Sequence, residues 1–192
     1  MRYPSDQKAR AKDAILQAGA KALRTNGFNG IGVDALAASA GVTSGAFYSN
    51  FSNKEALLEE VIAACLGEPY IGSDSGSLAE RRDRLREWLA VYISAEHRAD
   101  PASGCVMPTL SADVARANPK IRAAYGRKMS TLVRKMSDVL DAARPDRKKR
   151  AWSIIAVMVG AIAISRAMPD GRETDEALDS ALQTAMALIT AK

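Results

Sequence analysis

Apolar residues recur three or four positions apart along almost the whole chain, and no segment shows the period-two alternation of a strand. The spacing of Ile15, Ala18 and Ala22 is an early example. Prolines mostly stand where one helical pattern gives way to the next, as expected of residues that cannot continue a helix. The pattern therefore predicts an all-α fold.

About nine helices are predicted from these patterns and from the glycine, proline and capping residues between them. They are a first helix capped by Ser5 or Asp6 and ending at Asn26, then Val33–Ala40, Gly45–Phe51, Lys54 to about Leu66, Leu78–His97, Cys105–Ala115, Pro119–Ala143, Asp146–Met168 and Thr174–Thr190. Ser52 and Glu55 have the spacing of a capping box, with Asn53 as a second candidate cap. Because Gly67–Ser77 is rich in glycine and serine, we place a domain boundary there, between residues 1–66 and 67–192.

Composition narrows the class of protein. A chain of 192 residues that is 47% hydrophobic can bury a substantial core, which excludes wholesale disorder. Two cysteines make neither a disulfide framework nor a zinc ligand set and favour a reducing compartment. With His97 as the only histidine, and no P-loop, nucleophile elbow or dinucleotide-binding glycine pattern, we predict no enzyme, cofactor or metal site.

Neither a secretory signal nor a membrane span is predicted. Polar residues recur every few positions in residues 1–26, so this segment lacks the uninterrupted apolar stretch of a signal peptide. The longest apolar stretch, Ala151–Ile164, has 14 residues, whereas a spanning helix needs about 20. We therefore expect a buried helix and a cytoplasmic protein.

Residues 33–51 read VDALAASAGVTSGAFYSNF and carry the main functional signal. Two short helices around a bend at Gly41 have the form of a helix-turn-helix, whose second helix enters the major groove of DNA. Leu36, Ala37, Val42 and Phe47 are its candidate core, which can close against the first helix. The same pattern also fits an αα-corner without a DNA-binding role, so the pattern alone leaves both interpretations open.

The run AGVTSGAFYSNFSNKEALL resembles the signature of the TetR (tetracycline-repressor-like) family of transcriptional regulators. The strict resemblance covers roughly residues 10–62, and the rest agrees in helix number and length. It implies an N-terminal three-helix DNA-binding domain and a helical C-terminal domain for effector binding and dimerisation.

The resemblance also implies which side chains face DNA. They are Thr43, Ser44, Gly45, Ala46, Tyr48, Ser49, Asn50 and Lys54. Tyr48 would bind the DNA backbone through its hydroxyl, and Lys54 would hold a phosphate at the N-terminus of the fourth helix. Two positions depart from the family pattern: Gly32 and Asp34 stand where threonine and arginine are common, and Asp34 would repel phosphate.

Charge is concentrated at the same end of the chain. Through Lys54 there are seven Lys and Arg against three acids, which gives +4 of the total of +5. Arg2, Lys8, Arg10 and Lys12 are either additional phosphate contacts or a solvated basic face.

The sequence of the C-terminal part of the chain indicates a dimer and an effector pocket. Asp146–Met168 is apolar on every side after its basic start, so one side can pack internally and another against a partner. In the family the last two helices form the dimer interface; an internal hairpin in a monomer is the alternative. Large or adaptable side chains, each also explicable as core packing, suggest a small apolar or aromatic effector: Trp88, Tyr92, Met107, Leu110, Tyr125, Met129, Trp152 and Met158. His97 either orients such a ligand or is hydrogen-bonded at its helix end.

Cys105 lies in a segment that resembles a TetR subgroup containing electrophile- and redox-sensing repressors. At a helix N-terminus its thiolate would be stabilised, although an inert half-buried thiol is the alternative. Cys65 is expected in the core. We therefore expect a dimeric repressor that an effector releases from a palindromic operator. The alternatives are a thiol switch at Cys105, or a DNA-binding protein with less sequence specificity.

Overall fold

The structure is a computed structural model that describes residues 5–67, 70, 75–140 and 146–190. Within those residues it contains ten α-helices and no strand, which confirms the predicted all-α class. The helices are α1 (Ser5–Asn26), α2 (Val33–Ser39), α3 (Ser44–Tyr48), α4 (Lys54–Cys65), α5 (Leu78–Tyr92), α6 (Ala95–Ala99), α7 (Met107–Ala115), α8 (Pro119–Ser137), α9 (Arg147–Ala167) and α10 (Arg172–Thr190).

Polar side chains begin several of these helices. Thr43 Oγ1 accepts a backbone N–H of α3 at 3.2 Å, and Asn53 Oδ1 accepts one of α4 at 2.8 Å. Asn53 is therefore the cap of α4, and the capping box predicted for Ser52 and Glu55 is wrong. A capping box is present instead at α5, where Ser77 and the Glu80 carboxylate bind each other's backbone N–H. The Ser77 N–H and the Ser77 hydroxyl both donate to the Glu80 carboxylate, and these two hydrogen bonds lower the pKa of Glu80.

The predicted single helix Leu78–His97 is two helices. α5 ends at Tyr92, because Ile93 leaves the helical conformation with φ −96° and ψ 66°. Ser94 then caps α6, its hydroxyl accepting the N–H of His97 at 3.1 Å. The apolar spacing continues across the break, so only the capping serine marked it in the sequence.

Four other predicted helix ends are displaced by two residues or more, one of them the start of α10, which is Arg172 and not Thr174. α3 ends at Tyr48, and α7 begins at Met107 and not at Cys105. α8 ends at Ser137, short of the predicted Ala143, which lies outside the described residues.

The described residues form two compact units. The first combines the chain up to Leu66 with Cys105–Gly126, and the second combines the rest of the chain, Gly67–Gly104 and residues from Arg127 onward. Buried side chains of the first include Ile15, Leu23, Leu36, Phe47, Leu57, Leu58, Val61 and Ile62; those of the second include Leu85, Leu89, Ile154, Met158, Ile162, Leu178, Ala185 and Ile189. The predicted functional boundary in Gly67–Ser77 stays a prediction, since several residues of that segment lie outside the description.

Two arginines bind α6 to the C-terminal end of α9 within the second unit. Arg98 of α6 donates to the carbonyls of Ser165 and Met168, at 2.8 and 3.0 Å. Arg166 of α9 donates in return to the carbonyls of His97 and Arg98, at 2.6 and 3.1 Å. Each arginine thus satisfies carbonyls at the end of the other's helix, which a five-residue helix such as α6 needs for stability.

The ring of His97 is half-buried beside this network. Its Nδ1 lies 2.6 Å from the carbonyl oxygen of Tyr92, and because a carbonyl only accepts, Nδ1 carries the proton. Burial is the largest influence on the ring and lowers the pKa of His97, with the Arg166 charge acting in the same direction. His97 is therefore hydrogen-bonded as expected, but it lies in the middle of α6 and binds the last residue of α5, not the end of its own helix.

We predict that acidification destabilises the protein through His97. Because the folded-state pKa lies below the unfolded value of 6.5, the unfolded chain binds the extra proton first. This contribution to stability is complete above the unfolded pKa and is lost as pH falls through the lowered pKa. The melting temperature should drop by a few degrees between about pH 7.5 and 5.5.

His97→Gln should remove most of that drop, and since His97 is the only histidine no other imidazole contributes. A variant whose melting temperature depends on pH as strongly as the parent's would contradict the assignment.

Candidate nucleic-acid interface

The corner between α2 and α3 is a tight helix-turn-helix. Gly41 adopts φ +68°, a left-handed conformation in which glycine avoids the strain of other residues. The N–H of Gly41 donates to the carbonyl of Ala38 and that of Val42 to the carbonyl of Ala37, both at 3.0 Å. Leu36 and Phe47 are fully buried beneath the corner. The predicted core therefore holds the two helices in one geometry.

A side-chain hydrogen bond joins the first turns of the two helices. Ser44 Oγ donates to Asp34 Oδ1 at 2.5 Å. The sequence suggested that Ser44 faces phosphate and that Asp34 repels it. The structure shows a contact that the sequence did not reveal: the two residues bind each other and link the start of α3 to the start of α2.

The exposed side of α3 carries the remaining predicted DNA-facing residues. Tyr48 is 56% exposed, with its ring edge-on to Phe47, so its hydroxyl reaches solvent. Thr43, Gly45 and Ser49 are exposed, and Ala46 is half-buried. The side chain of Asn50 is instead bonded within the protein, because its amide nitrogen donates to the carbonyl of Ala46 at 2.8 Å. Its Oδ1 is buried and has no hydrogen-bond partner within the described part of the chain.

Lys54, predicted to hold a phosphate, is also engaged within the protein. Its ammonium donates to the carbonyls of Phe28 at 2.7 Å and Ile31 at 3.0 Å. It also lies 4.3 Å from the centre of the Phe28 ring, close enough for a cation–π interaction. Two of its three N–H donors are therefore already used by the loop between α1 and α2.

Two lysines of α1 lie beside the end of α3. Lys8 and Lys12 line an open cleft of about 430 Å³ together with Ala9, Ser49 and Asn50. Lys12 also pairs with Glu60 at 2.8 Å. Arg10 is exposed nearby in sequence, whereas Arg2 lies outside the described residues. The cleft brings positive charge to the side of the unit on which Ser49 lies.

The candidate effector residues fall into two groups. Met107, Leu110 and Tyr125 belong to the first unit, and Trp88, Tyr92, Met129, Trp152 and Met158 to the second. The structure brings Trp88 and Tyr92 together, with ring centres 5.2 Å apart. Tyr70, which the sequence analysis missed, stacks on Trp88 at 4.9 Å. Its position in a glycine- and serine-rich segment gave no periodic signal.

Tyr125 lies in a polar contact within the first unit. Ser111 donates its only hydroxyl proton to the carbonyl of Met107 at 2.7 Å, so the Tyr125 hydroxyl donates to Ser111 Oγ at 2.6 Å. Burial is the main cause of the raised pKa of Tyr125. Among the residues described, no three His, Cys, Asp or Glu side chains lie close enough to hold a metal ion.

Cys105 precedes α7 and is half-buried. Its Sγ accepts the N–H of Met107, the first residue of α7, at 3.4 Å. The sulfur therefore lies beside the N-terminus of α7, but Val106 and not Cys105 holds the cap position. Cys65 is half-buried at the end of α4.

One side of α9 is apolar and exposed. Trp152 is 44% exposed and Ile164 is 59% exposed, and Ala156 and Gly160 lie between them on the same side at helical spacing. We name these four residues the α9 face. Trp152, predicted to line a pocket, is therefore on this face.

By length and hydropathy alone α9 also resembles a membrane span. In the described part of the chain 44% of its most apolar window is buried inside the protein, however, and a core helix of a soluble protein passes the same test.

Two known families match most of the chain. Residues 15–61 match the family described as bacterial regulatory proteins, tetR family. Residues 82–181 match the family described as tetracyclin repressor-like, C-terminal domain. A search of curated protein sequences gave no match.

Several solved structures share the fold. Reduced E. coli NemR is 25% identical, covering 91% of this chain and 94% of its own, with a TM-score of 0.68. A TetR-family transcriptional regulator from Cytophaga hutchinsonii is 22% identical over 100% of both chains, with a TM-score of 0.73. The regulatory protein TetR from Rhodobacter sphaeroides is 20% identical over 93% of this chain and 98% of its own, with a TM-score of 0.70.

Proposed function

The chain belongs to the tetR family of bacterial regulatory proteins, DNA-binding transcriptional regulators with a helix-turn-helix, and on that premise we propose that it is a dimeric repressor. It would bind a palindromic operator in the cytoplasm, leave it when a small apolar or aromatic effector binds, and have no catalytic activity.

The observation that carries the proposal is the exposed side of α3. A five-residue helix presents the Tyr48 hydroxyl and small residues at its first turn, which lets its backbone approach a major groove closely. We assign DNA contacts to Thr43, Gly45, Ala46, Tyr48 and Ser49, with Ser44 and Asn50 acting mainly through the bonds that shape the helix. Lys8 and Lys12 would supply phosphate contacts beside them.

Dimerisation would occur through the α9 face and α10. An exposed tryptophan and isoleucine with a glycine between them suit close packing against a second helix. A two-fold dimer presents two copies of α3 to half-sites about 34–36 Å apart, which a monomer cannot do.

The effector would bind through aromatic contacts. The stack of Tyr70, Trp88 and Tyr92 in the second unit is the described cluster best suited to an apolar or aromatic ligand. Effector binding would favour a state in which the two recognition helices no longer match successive major grooves. The equilibrium would shift by the difference between the effector's affinities for the two states.

We predict that Tyr48→Ala weakens binding to a promoter-derived duplex by on the order of tenfold, because it removes the projecting hydroxyl and ring. Tyr48→Phe should reproduce most of the loss if the hydroxyl makes the contact. Fluorescence anisotropy at fixed salt measures both.

Tyr125→Phe is the matched control, since that hydroxyl binds Ser111 inside the protein. Unchanged affinity in both Tyr48 variants would show that α3 is wrongly assigned. Equal affinity of the parent for promoter-derived and random duplexes would favour the less specific DNA-binding protein.

We predict that Ile164→Glu converts the dimer to monomers, because it places a charge in the proposed apolar interface. Val91→Glu is the control: Val91 is 70% exposed but lies on α5. Sedimentation velocity should give half the parent's mass for the first variant only. A dimer that survives Ile164→Glu would exclude the α9 face as the interface.

A second candidate function is thiol sensing at Cys105, favoured by its contact with the first N–H of α7. Alkylation should then release the protein from DNA in the parent and in Cys65→Ser, but not in Cys105→Ser. Alkylated protein that binds DNA as tightly as before would end this alternative.

A further inference from the structure

Phe28, in the loop between α1 and α2, is held through both of its backbone polar groups. Its N–H donates to Asp113 Oδ2 of α7 at 2.9 Å. Its carbonyl accepts from Lys54 Nζ of α4 at 2.7 Å, and its ring lies beneath the same ammonium. An anion thus binds the N–H and a cation binds the carbonyl, so both hydrogen bonds are charge-assisted.

The local structure is shaped for the carboxylate. Gly27 has φ +71°, and a Cβ there would lie 3.3 Å from Asp113 Oδ2. Glycine therefore both ends α1 and lets the carboxylate approach the next N–H. Asp113 is 11% exposed, and its other oxygen accepts from Arg116 at 3.1 Å. Each carboxylate oxygen of Asp113 has its own partner, and only Oδ2 binds the loop between α1 and α2.

The start of α2 depends on this loop. Gly32 occupies the N-cap position of α2 and offers no side-chain hydrogen bond. Lys54 also binds the carbonyl of Ile31, directly before that cap. The position at which α2 begins is thus set by contacts from α4 and α7, and α3 packs on α2.

We propose that Asp113 and Lys54 are positioning residues that hold the Phe28 loop, and through it α2 and α3, in the DNA-binding geometry. Asp113 gives α7 a direct link to the helix-turn-helix, and a displacement of α7 releases the loop. The inference rests on the proposed function, because DNA affinity is its functional readout. Lys54 acts here through the loop and not through a phosphate.

The first test compares Asp113→Ala with Asp113→Asn and Arg116→Ala. The alanine variant should bind the promoter-derived duplex about tenfold more weakly, the factor expected for one charge-assisted hydrogen bond. The asparagine variant keeps an acceptor for Phe28 and should recover part of the affinity. Arg116→Ala loses only the ion pair and should bind as the parent does.

A readout without DNA separates positioning from general loss of stability. By NMR hydrogen exchange, the Phe28 amide should exchange faster in Asp113→Ala, while amides in the middle of α1 and α4 keep the parent's protection. If the Phe28 amide keeps its protection, or all amides lose protection equally, the proposed positioning role is overturned.

The second test measures the salt dependence of Lys54→Met. Loss of a positioning group lowers affinity at every salt concentration and leaves the salt slope at the parent's value. A slope smaller by about one would show a direct phosphate contact and overturn the role given to Lys54. If the parent protein binds promoter-derived and random duplexes equally tightly, the proposed function is overturned, and the inference with it. If the parent prefers the promoter-derived duplex but Asp113→Ala binds that duplex as tightly as the parent does, only the inference is overturned.

Discussion

The burial of Phe47 beneath the α2–α3 corner is the constraint on which the DNA-binding unit depends. α3 has five residues and α2 has seven, lengths at which a helix is not stable in water by itself. Both persist because Leu36 and Phe47 are removed from solvent where α2 and α3 pack on each other and on α1. Tyr48, the next residue around the helix, lies on the exposed side.

Polar groups around this corner mostly bind one another. Ser44 donates to Asp34, Asn50 to Ala46, and Lys54 to two loop carbonyls. Each bond adds rigidity to the surface around α3. A rigid α3 loses little conformational freedom on binding, which favours recognition by a short helix. Several residues that the motif assigns to DNA therefore also stabilise the local structure of the helix-turn-helix.

Local signals in the sequence were sufficient to predict most of the helices and their order. Thr43, Asn53 and Gly41 end or begin helices through contacts within four residues, so their roles follow from residue type and spacing. The break at Ile93 was missed because the apolar spacing runs through it. The bond from Phe28 to Asp113 joins residues 85 positions apart, and no local pattern specifies such a partner. The outward face of α3 was predictable, whereas the hydrogen bonds of its side chains were not.

α9 shows why an apolar sequence does not by itself assign a surface. It is apolar on every side after its basic first turn, and Ile154, Ile155, Met158 and Ile162 fill the core of their unit. The remaining side keeps Trp152 and Ile164 in solvent, which is unfavourable for an isolated protein. Exposed apolar area on a long rigid helix is stabilised when a second copy covers it. On the proposed function, the two-fold pairing that removes this surface from water would also duplicate α3, so dimer stability and operator recognition would be two consequences of one interface.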